Sequence, residues 1–239
     1  MDDLASKEDG QKQHQAAPAS PPGSTAVPGL PTGSVDLDRL TGGLRPGDLW
    51  VVTGRSGVGK KVYALGLARN AAVRSGVGAA LLASRCSNVD TVKMLLSAEA
   101  GVPLHHMRFG GLGDVDWGRL ARRMGEVAEA PLLLLSAEPR AASQPRTAAE
   151  RVVEARDVAG RHDLALLVVG DLPAAVTTEE LLQLKGLAAA VGVCVVAVVD
   201  EDVRLPMSQM ERSAGLGRVR NVRRVATGRL RPGPCCRGR

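Results

Sequence analysis

The stretch from residue 49 to residue 72 constrains the fold most, because it joins an apolar run, a glycine-spaced loop and a helical pattern in a fixed order. Residues 49–52 have the composition of a buried strand, and residues 62–72 have the apolar spacing of a helix. The loop between them ends in Gly59-Lys60, as in the phosphate-binding motif G-x-x-x-x-G-K-[ST]. We therefore expect a nucleotide site formed by Gly54, Arg55, Ser56, Gly57, Val58, Gly59, Lys60 and Lys61.

The chemistry of this loop suits phosphate, with one exception. Its glycines permit backbone angles that turn successive N–H groups inward, and the helix that follows presents its positive end to the same anion. Lys60 would reach the outer phosphates. The last motif position, however, is Lys61 instead of the Ser or Thr whose hydroxyl ligates Mg²⁺, and an ammonium group cannot ligate a cation. An ordinary glycine-rich turn is disfavoured because strand and helix both lie where the motif requires them.

Apolar runs and helical patterns alternate along the rest of the chain. This alternation predicts an α/β fold, a mostly parallel sheet covered by helices on both faces. The expected strands lie at 49–52, 79–83, 132–135, 164–169 and 193–199, and the expected helices at 35–40, 62–75, 88–100, 105–108, 116–128, 147–160 and 179–191. Asp114 or Asp116 is the expected N-cap of the fifth helix.

Composition divides the chain into three parts. Residues 1–28 are rich in Ala, Pro, Ser and Gln, which predicts a disordered tail, and residues 29–203 form the predicted P-loop domain. Residues 204–239 hold ten arginines and one acid, Glu211, whereas the remainder holds 21 basic and 24 acidic residues. The basic character of the protein therefore belongs to its C-terminal tail.

Three readings of that tail stay open. Arg218, Arg220, Arg223 and Arg224 could neutralise phosphates of nucleic acid, in contacts that weaken with salt. The alternatives are a solvated tail without a partner, because no aromatic residue is interleaved to stack on bases, or a frameshifted end.

No apolar run approaches the length of a membrane span, and the N-terminus has no secretory pattern, so we expect a cytoplasmic protein without a membrane partner. The four cysteines, and the pair His105-His106, lack the spacing of a metal site, so no metal ligand is predicted.

Residues 29–200 resemble the C-terminal, RecA-like ATPase domain of DnaB-type replicative DNA helicases. The resemblance rests on three groups of residues: the lead-in segment 29–49, which contains Thr41-Gly42-Gly43-Leu44; the helix segment 67–72; and the segments 95–105 and 116–132. It implies ATP as ligand, DNA as partner, a role in DNA replication and assembly into a hexameric ring. Whether this chain forms a ring stays open, and the absence of the family's N-terminal domain and linker helix makes a ring less favourable than in a full-length helicase.

The sequence departs from the family at the positions that carry out the family's chemistry. Arg85 occupies the position of the family's water-activating glutamate, and a guanidinium cannot accept a proton at neutral pH. Gly170 occupies the position of the metal-binding Walker B aspartate, with Asp171 one residue later. That offset would place the carboxylate on the other face of a regular strand. Asp200 aligns with the family's γ-phosphate-sensing glutamine.

These residues predict a degenerate member of the family, a pseudoenzyme that binds ATP, has no need of Mg²⁺ and hydrolyses ATP weakly or not at all. One alternative is a working DNA-dependent ATPase or helicase in which Asp171 replaces the missing metal ligand after a local rearrangement. A second alternative is a non-enzymatic nucleic-acid-binding protein that acts through the basic tail.

Overall fold

The computed structural model describes residues 29–54, 57–83, 87–136, 147–172 and 176–200. The two predicted tails, residues 1–28 and 204–239, lie outside these ranges and stay predictions. The described helices are α1 Val35–Thr41, α2 Lys60–Arg69, α3 Asn88–Ala100, α4 Leu104–Phe109, α5 Asp114–Glu129, α6 Ala148–Arg161 and α7 Thr178–Val191. The strands are β1 Leu49–Gly54, β2 Ala79–Ala83, β3 Leu132–Ser136, β4 Leu166–Leu172 and β5 Cys194–Asp200.

The five strands form one parallel sheet in the order β1-β5-β4-β2-β3. Parallel pairing needs a crossover between strands, and the helices supply it. Strands β1 and β5, which the chain separates most widely, are neighbours in register from Leu49↔Val195 to Gly54↔Asp200. The predicted α/β class with a parallel sheet is confirmed.

Helices cover both faces of this sheet. On one face α6 and α7 pack against the side chains of Leu167, Val169 and Val195; on the other, α2 and α3 pack against Leu166, Val168 and Val196. Both faces of the central strands are buried, which explains why residues 166–169 of β4 and 194–199 of β5 are continuous apolar runs.

Helix boundaries differ from the predicted ones where local chemistry decides them. The helix expected at 62–75 begins at Lys60, and after Arg69 it continues as a π-helical turn, Asn70–Arg74. The predicted N-cap of α5 is wrong: Gly113 is the cap, and Asp114 and Asp116 lie in the first turn, where their charge still complements the helix dipole. Helices α6 and α7 begin with capping boxes at Thr147 and Thr177.

The lead-in segment is closed on itself and bonded to α7 before β1 begins. Leu30 and Leu44 form an antiparallel bridge, with N···O distances of 2.7 and 2.8 Å, and Thr32 Oγ1 donates to Asp38 Oδ1 of α1 at 2.7 Å. Lys185 of α7 donates to the carbonyl oxygen of Gly47 at 2.6 Å, which fixes the turn that enters β1. No helix within the described ranges is long and apolar enough to cross a membrane.

Candidate phosphate-binding site

The predicted loop lies between the carboxyl end of β1, at Gly54, and the first residue of α2, Lys60. Gly57 and Gly59 have φ angles of 82° and 91°, a conformation that favours glycine. A Cβ atom added at either position would meet no atom within 4 Å, so both glycines face open space. Glycine is therefore needed here for its backbone angles, and residues 57–59 of the loop are exposed.

Lys60 is the best-defined side chain of the site. It is only 8% exposed, and its Nζ donates a hydrogen bond to the carbonyl oxygen of Gly54. The ammonium group thus lies across the opening of the loop, beside the N-terminus of α2. A charge in this position suits the outer phosphates of a nucleotide, because the positive end of the helix dipole acts on the same ligand.

The first turn of α2 lacks the magnesium ligand of the motif. Lys61, half-buried in the first turn of α2, replaces the hydroxyl ligand, and this turn contains no acidic residue. Within the described ranges no group of three or more His, Cys, Asp or Glu side chains could hold a metal ion. Arg55, Ser56 and Arg85 lie outside the described residues, so their predicted roles stay predictions.

The end of β4 breaks the regular alternation on which the sequence argument about Asp171 depended. Val169 pairs with Ala197, but Leu172 pairs with Val199, so three steps on β4 match two on β5. Val169 and Leu172 accordingly both belong to the core beneath α6 and α7. This is a bulge with one extra residue.

The bulge falls on positions 170 and 171. Position 170 follows Val169 and position 171 precedes Leu172, so these are the two positions at which the alternation is interrupted. The regular alternation on which the expectation about Asp171 depended is therefore interrupted, and the role of Asp171 stays a prediction.

Glu99 is a buried residue that the sequence analysis did not identify. It pairs with two arginines at the C-terminal end of α2. The Glu99 side chain, on α3, is fully buried, and its carboxylate lies 3.3 Å from Arg69 Nε and 2.7 Å from Arg74 Nη2. These two arginines flank the π-helical turn at the end of α2. One signal could have found Glu99: it follows the buried Thr91 and Leu95 at four-residue spacing, so it falls on the inward stripe of α3.

A parallel α/β sheet with a glycine loop and a buried lysine at the carboxyl end of its first strand defines a P-loop nucleotide-binding fold. A family model described as "DnaB-like helicase C terminal domain" matches residues 29–202. The chain belongs to this family.

Curated relatives and solved structures agree with this assignment. The replicative DNA helicase DnaB of Leifsonia xyli is 38% identical over 109 residues, and those of Nostoc sp. and Treponema pallidum are 30% and 31% identical over 182 and 175 residues. The matches cover 46%, 72% and 71% of this chain but only 24%, 20% and 40% of the relatives, so the chain spans less than half the length of each.

Two solved structures share the fold at 17% sequence identity. One is a DnaB-like replicative helicase described with its interactions with primase (TM-score 0.59, covering 73% of this chain and 43% of that one). The other is an isolated ATPase domain (TM-score 0.61, covering 77% and 70%). The predicted RecA-like core is thereby confirmed, and membership of a helicase ATPase family implies nucleotide binding.

Proposed function

We propose that this protein binds ATP in the loop between β1 and α2 without Mg²⁺, and that it hydrolyses ATP weakly or not at all. The observation that carries the proposal is the pair of lysines at the start of α2. Lys60 lies buried at the opening of the loop, whereas Lys61 takes the position of the metal-binding hydroxyl. The phosphate-binding half of the site is retained, and the metal-binding half is replaced by a cation.

Electrostatics favours this combination. A lysine about 5 Å from a divalent cation opposes it by several kcal/mol at an effective dielectric constant near 20. The same lysine attracts the phosphates that the metal would otherwise neutralise. Phosphoryl transfer depends on a positioned metal and an activated water, so their loss slows hydrolysis much more than it weakens binding.

Calorimetric titration of the full chain with ATP, in EDTA and in excess Mg²⁺, tests the proposal. We expect dissociation constants that agree within about threefold in the two conditions. We expect Lys60→Ala to weaken binding at least tenfold, whereas Lys93→Ala on α3 serves as a control of equal charge change and leaves it unaltered. Binding that requires Mg²⁺, or that ignores Lys60→Ala, contradicts the proposal.

The bulge in β4 favours a second candidate function, a working DNA-dependent ATPase. The candidate requires that the irregularity between Val169 and Leu172 bring the Asp171 carboxylate to the place of the Walker B aspartate, whose position in the sequence Gly170 occupies. The test is steady-state ATP turnover with single-stranded DNA. Turnover that both Lys60→Ala and Asp171→Asn abolish, but the control Asp163→Asn preserves, establishes this candidate and rules out the first.

Single-stranded DNA is the partner that we propose for the basic tail, since ten arginines in residues 204–239 supply the charge that a phosphate backbone attracts. Deletion of residues 218–239 should weaken binding of a labelled oligonucleotide and leave ATP binding unaltered. Unaltered oligonucleotide affinity would locate DNA binding elsewhere.

Sedimentation of the full chain and of the chain without residues 218–239, each with and without ATP, tests whether the chain forms an oligomer.

A further inference from the structure

A groove between α3 and α5 lies away from the phosphate-binding loop and is lined by an unusual set of charges. Its volume is about 520 Å³, and its walls are Glu99 and Ala100 of α3 with Arg119, Arg122, Arg123 and Glu126 of α5. The three arginines follow at i, i+3 and i+4, so one face of α5 presents three guanidinium groups.

Both carboxylates of the groove are already compensated. Glu126 accepts two hydrogen bonds from Arg123 Nη1, each 2.7 Å long, and Glu99 is held by Arg69 and Arg74. Counting Arg69 and Arg74 with the three arginines of α5, five positive charges surround two carboxylates, an excess of three. Residues 1–203 as a whole carry more acidic than basic residues, so this positive charge is a local concentration.

Two of the guanidinium groups remain available to a ligand. Arg122 donates through Nε to the carbonyl oxygen of Gly118 on its own helix at 3.1 Å, which leaves its two terminal amino groups for other contacts. No hydrogen bond or ion pair joins Arg119 to any residue in the described ranges. Like charges one helical turn apart repel each other, and a bound anion would relieve this repulsion.

We propose that this groove is a second anion site, in which the forks of Arg119 and Arg122 bind the phosphate group of a small ligand. Guanidinium groups bind phosphate through paired N–H donors, and the volume of the groove is in the range of small-molecule pockets. A compact ligand fits better than a long nucleic-acid strand. Acidic residues bracket the arginines along α5, with Asp114 and Asp116 in the first turn and Glu129 at the last residue.

Diphosphate is the probe for this site, and calorimetry is the measurement. The full chain carrying Lys60→Ala, which disables the P-loop, is compared with the same chain carrying Arg119→Gln and Arg122→Gln in addition. We expect the added substitutions to weaken diphosphate binding at least tenfold. The control carries Arg39→Gln and Arg156→Gln, which remove the same charge from exposed arginines on α1 and α6, and it should bind as the Lys60→Ala chain does.

The basic tail is present in all three proteins, so any diphosphate that it binds contributes equally to the three titrations. Thermal unfolding by circular dichroism establishes that the variants fold alike. Equal diphosphate affinity of the groove variant and the control overturns the proposal, and so does a groove variant that weakens binding of a short oligothymidylate but not of diphosphate. Failure of the P-loop proposal would be seen separately, as ATP binding that Lys60→Ala leaves unaltered.

Discussion

Adjacent lysines at the start of α2 occupy different environments. Lys60 is buried and donates to the carbonyl oxygen of Gly54, whereas Lys61 is half-buried one residue further along the helix. Successive helix residues differ by about 100° in direction, so a cradle for phosphate and a position for a metal ligand can lie side by side on one turn. A change at residue 61 can therefore alter the metal requirement and leave the lysine of the cradle in place.

The substitution Lys61→Thr tests this separation. It restores the hydroxyl of the motif and removes one positive charge, so we expect ATP binding to become Mg²⁺-dependent, with Mg²⁺ tightening binding at least fivefold. Titrations with and without Mg²⁺ measure the effect, and Lys61→Ala, which removes the charge without adding a hydroxyl, is the matched control. If Lys61→Thr and Lys61→Ala respond equally to Mg²⁺, the hydroxyl has no part in metal binding.

Tyr63, two residues further along α2, makes a pH-dependent prediction. Burial, and then the charge of Asp38, raises the pKa of Tyr63 to about 12, above an ordinary value of 10.0. The folded state therefore holds its proton to a higher pH than the unfolded state does. The associated stability is fully present below pH 10 and is lost as the pH rises towards 12.

We expect Tyr63→Phe to lessen the fall in unfolding free energy between pH 10 and 12. At pH 7 it should change that free energy little, because the buried hydroxyl has no hydrogen-bond partner among the described residues. Urea unfolding at several pH values measures both effects. Tyr63 is the chain's single tyrosine, so ultraviolet titration of the folded protein reports its pKa directly; a pKa near 10 would contradict the burial argument.

At the scale of elements, the lead-in segment that precedes β1 is closed by the approach of residues 29–30 to residues 43–44. A Cβ atom at Gly43, whose φ is 78°, would lie 2.8 Å from the carbonyl oxygen of Leu30 and 2.9 Å from that of Gly29. Both the backbone conformation and the packing therefore require glycine. Gly101, which ends α3 with a φ of 63°, has the same conformation but open space around it.

This pair of glycines separates the cost of conformation from the cost of packing. We expect Gly101→Ala to lower the free energy of unfolding by about 1 kcal/mol, the cost of a left-handed alanine. Gly43→Ala should lower it by about 2 kcal/mol more, because the bridge between Leu30 and Leu44 must open to admit the methyl group. Equal losses in urea unfolding would mean that the bridge adjusts without cost.

At the scale of the whole molecule, Glu99 joins the helices of one sheet face to each other. Its buried carboxylate connects α3 to the two arginines that flank the π-helical turn, and this turn ends the helix that begins at the phosphate-binding loop. The orientation of α2 is thus fixed at its start by the loop and at its end by an ion pair. Removing the Glu99 carboxylate takes away the negative charge that pairs with Arg69 and Arg74.

We expect Glu99→Gln to lower the free energy of unfolding by about 2 kcal/mol. Loss of one partner from a buried pair is costly, but Arg74 is half exposed and regains some hydration. Glu126→Gln, which breaks the exposed pair with Arg123, is the control and should cost about 0.5 kcal/mol or less. Similar losses for the two variants would show that burial of Glu99 contributes nothing to stability.

Local patterns in the sequence determined much of this protein. The order of strands and helices follows from apolar spacing, and strand β2 at residues 79–83 and helix α3 at residues 88–100 have the predicted bounds. The sequence also predicts the loop of residues 54–61 and shows that Lys61 replaces the Ser or Thr of the motif. Each of these features depends on residues within a few positions of one another. Family membership followed from the same short segments.

Only the tertiary structure decided the features that depend on distant contacts. The strand order requires β1 to pair with β5, about 145 residues away, and the bulge at Gly170-Asp171 is defined by its register against β5. Burial of Glu99 depends on arginines from another helix. A residue's own neighbours in the chain fix its helix or strand, but its face and its charge partner are fixed by elements that the sequence places far away.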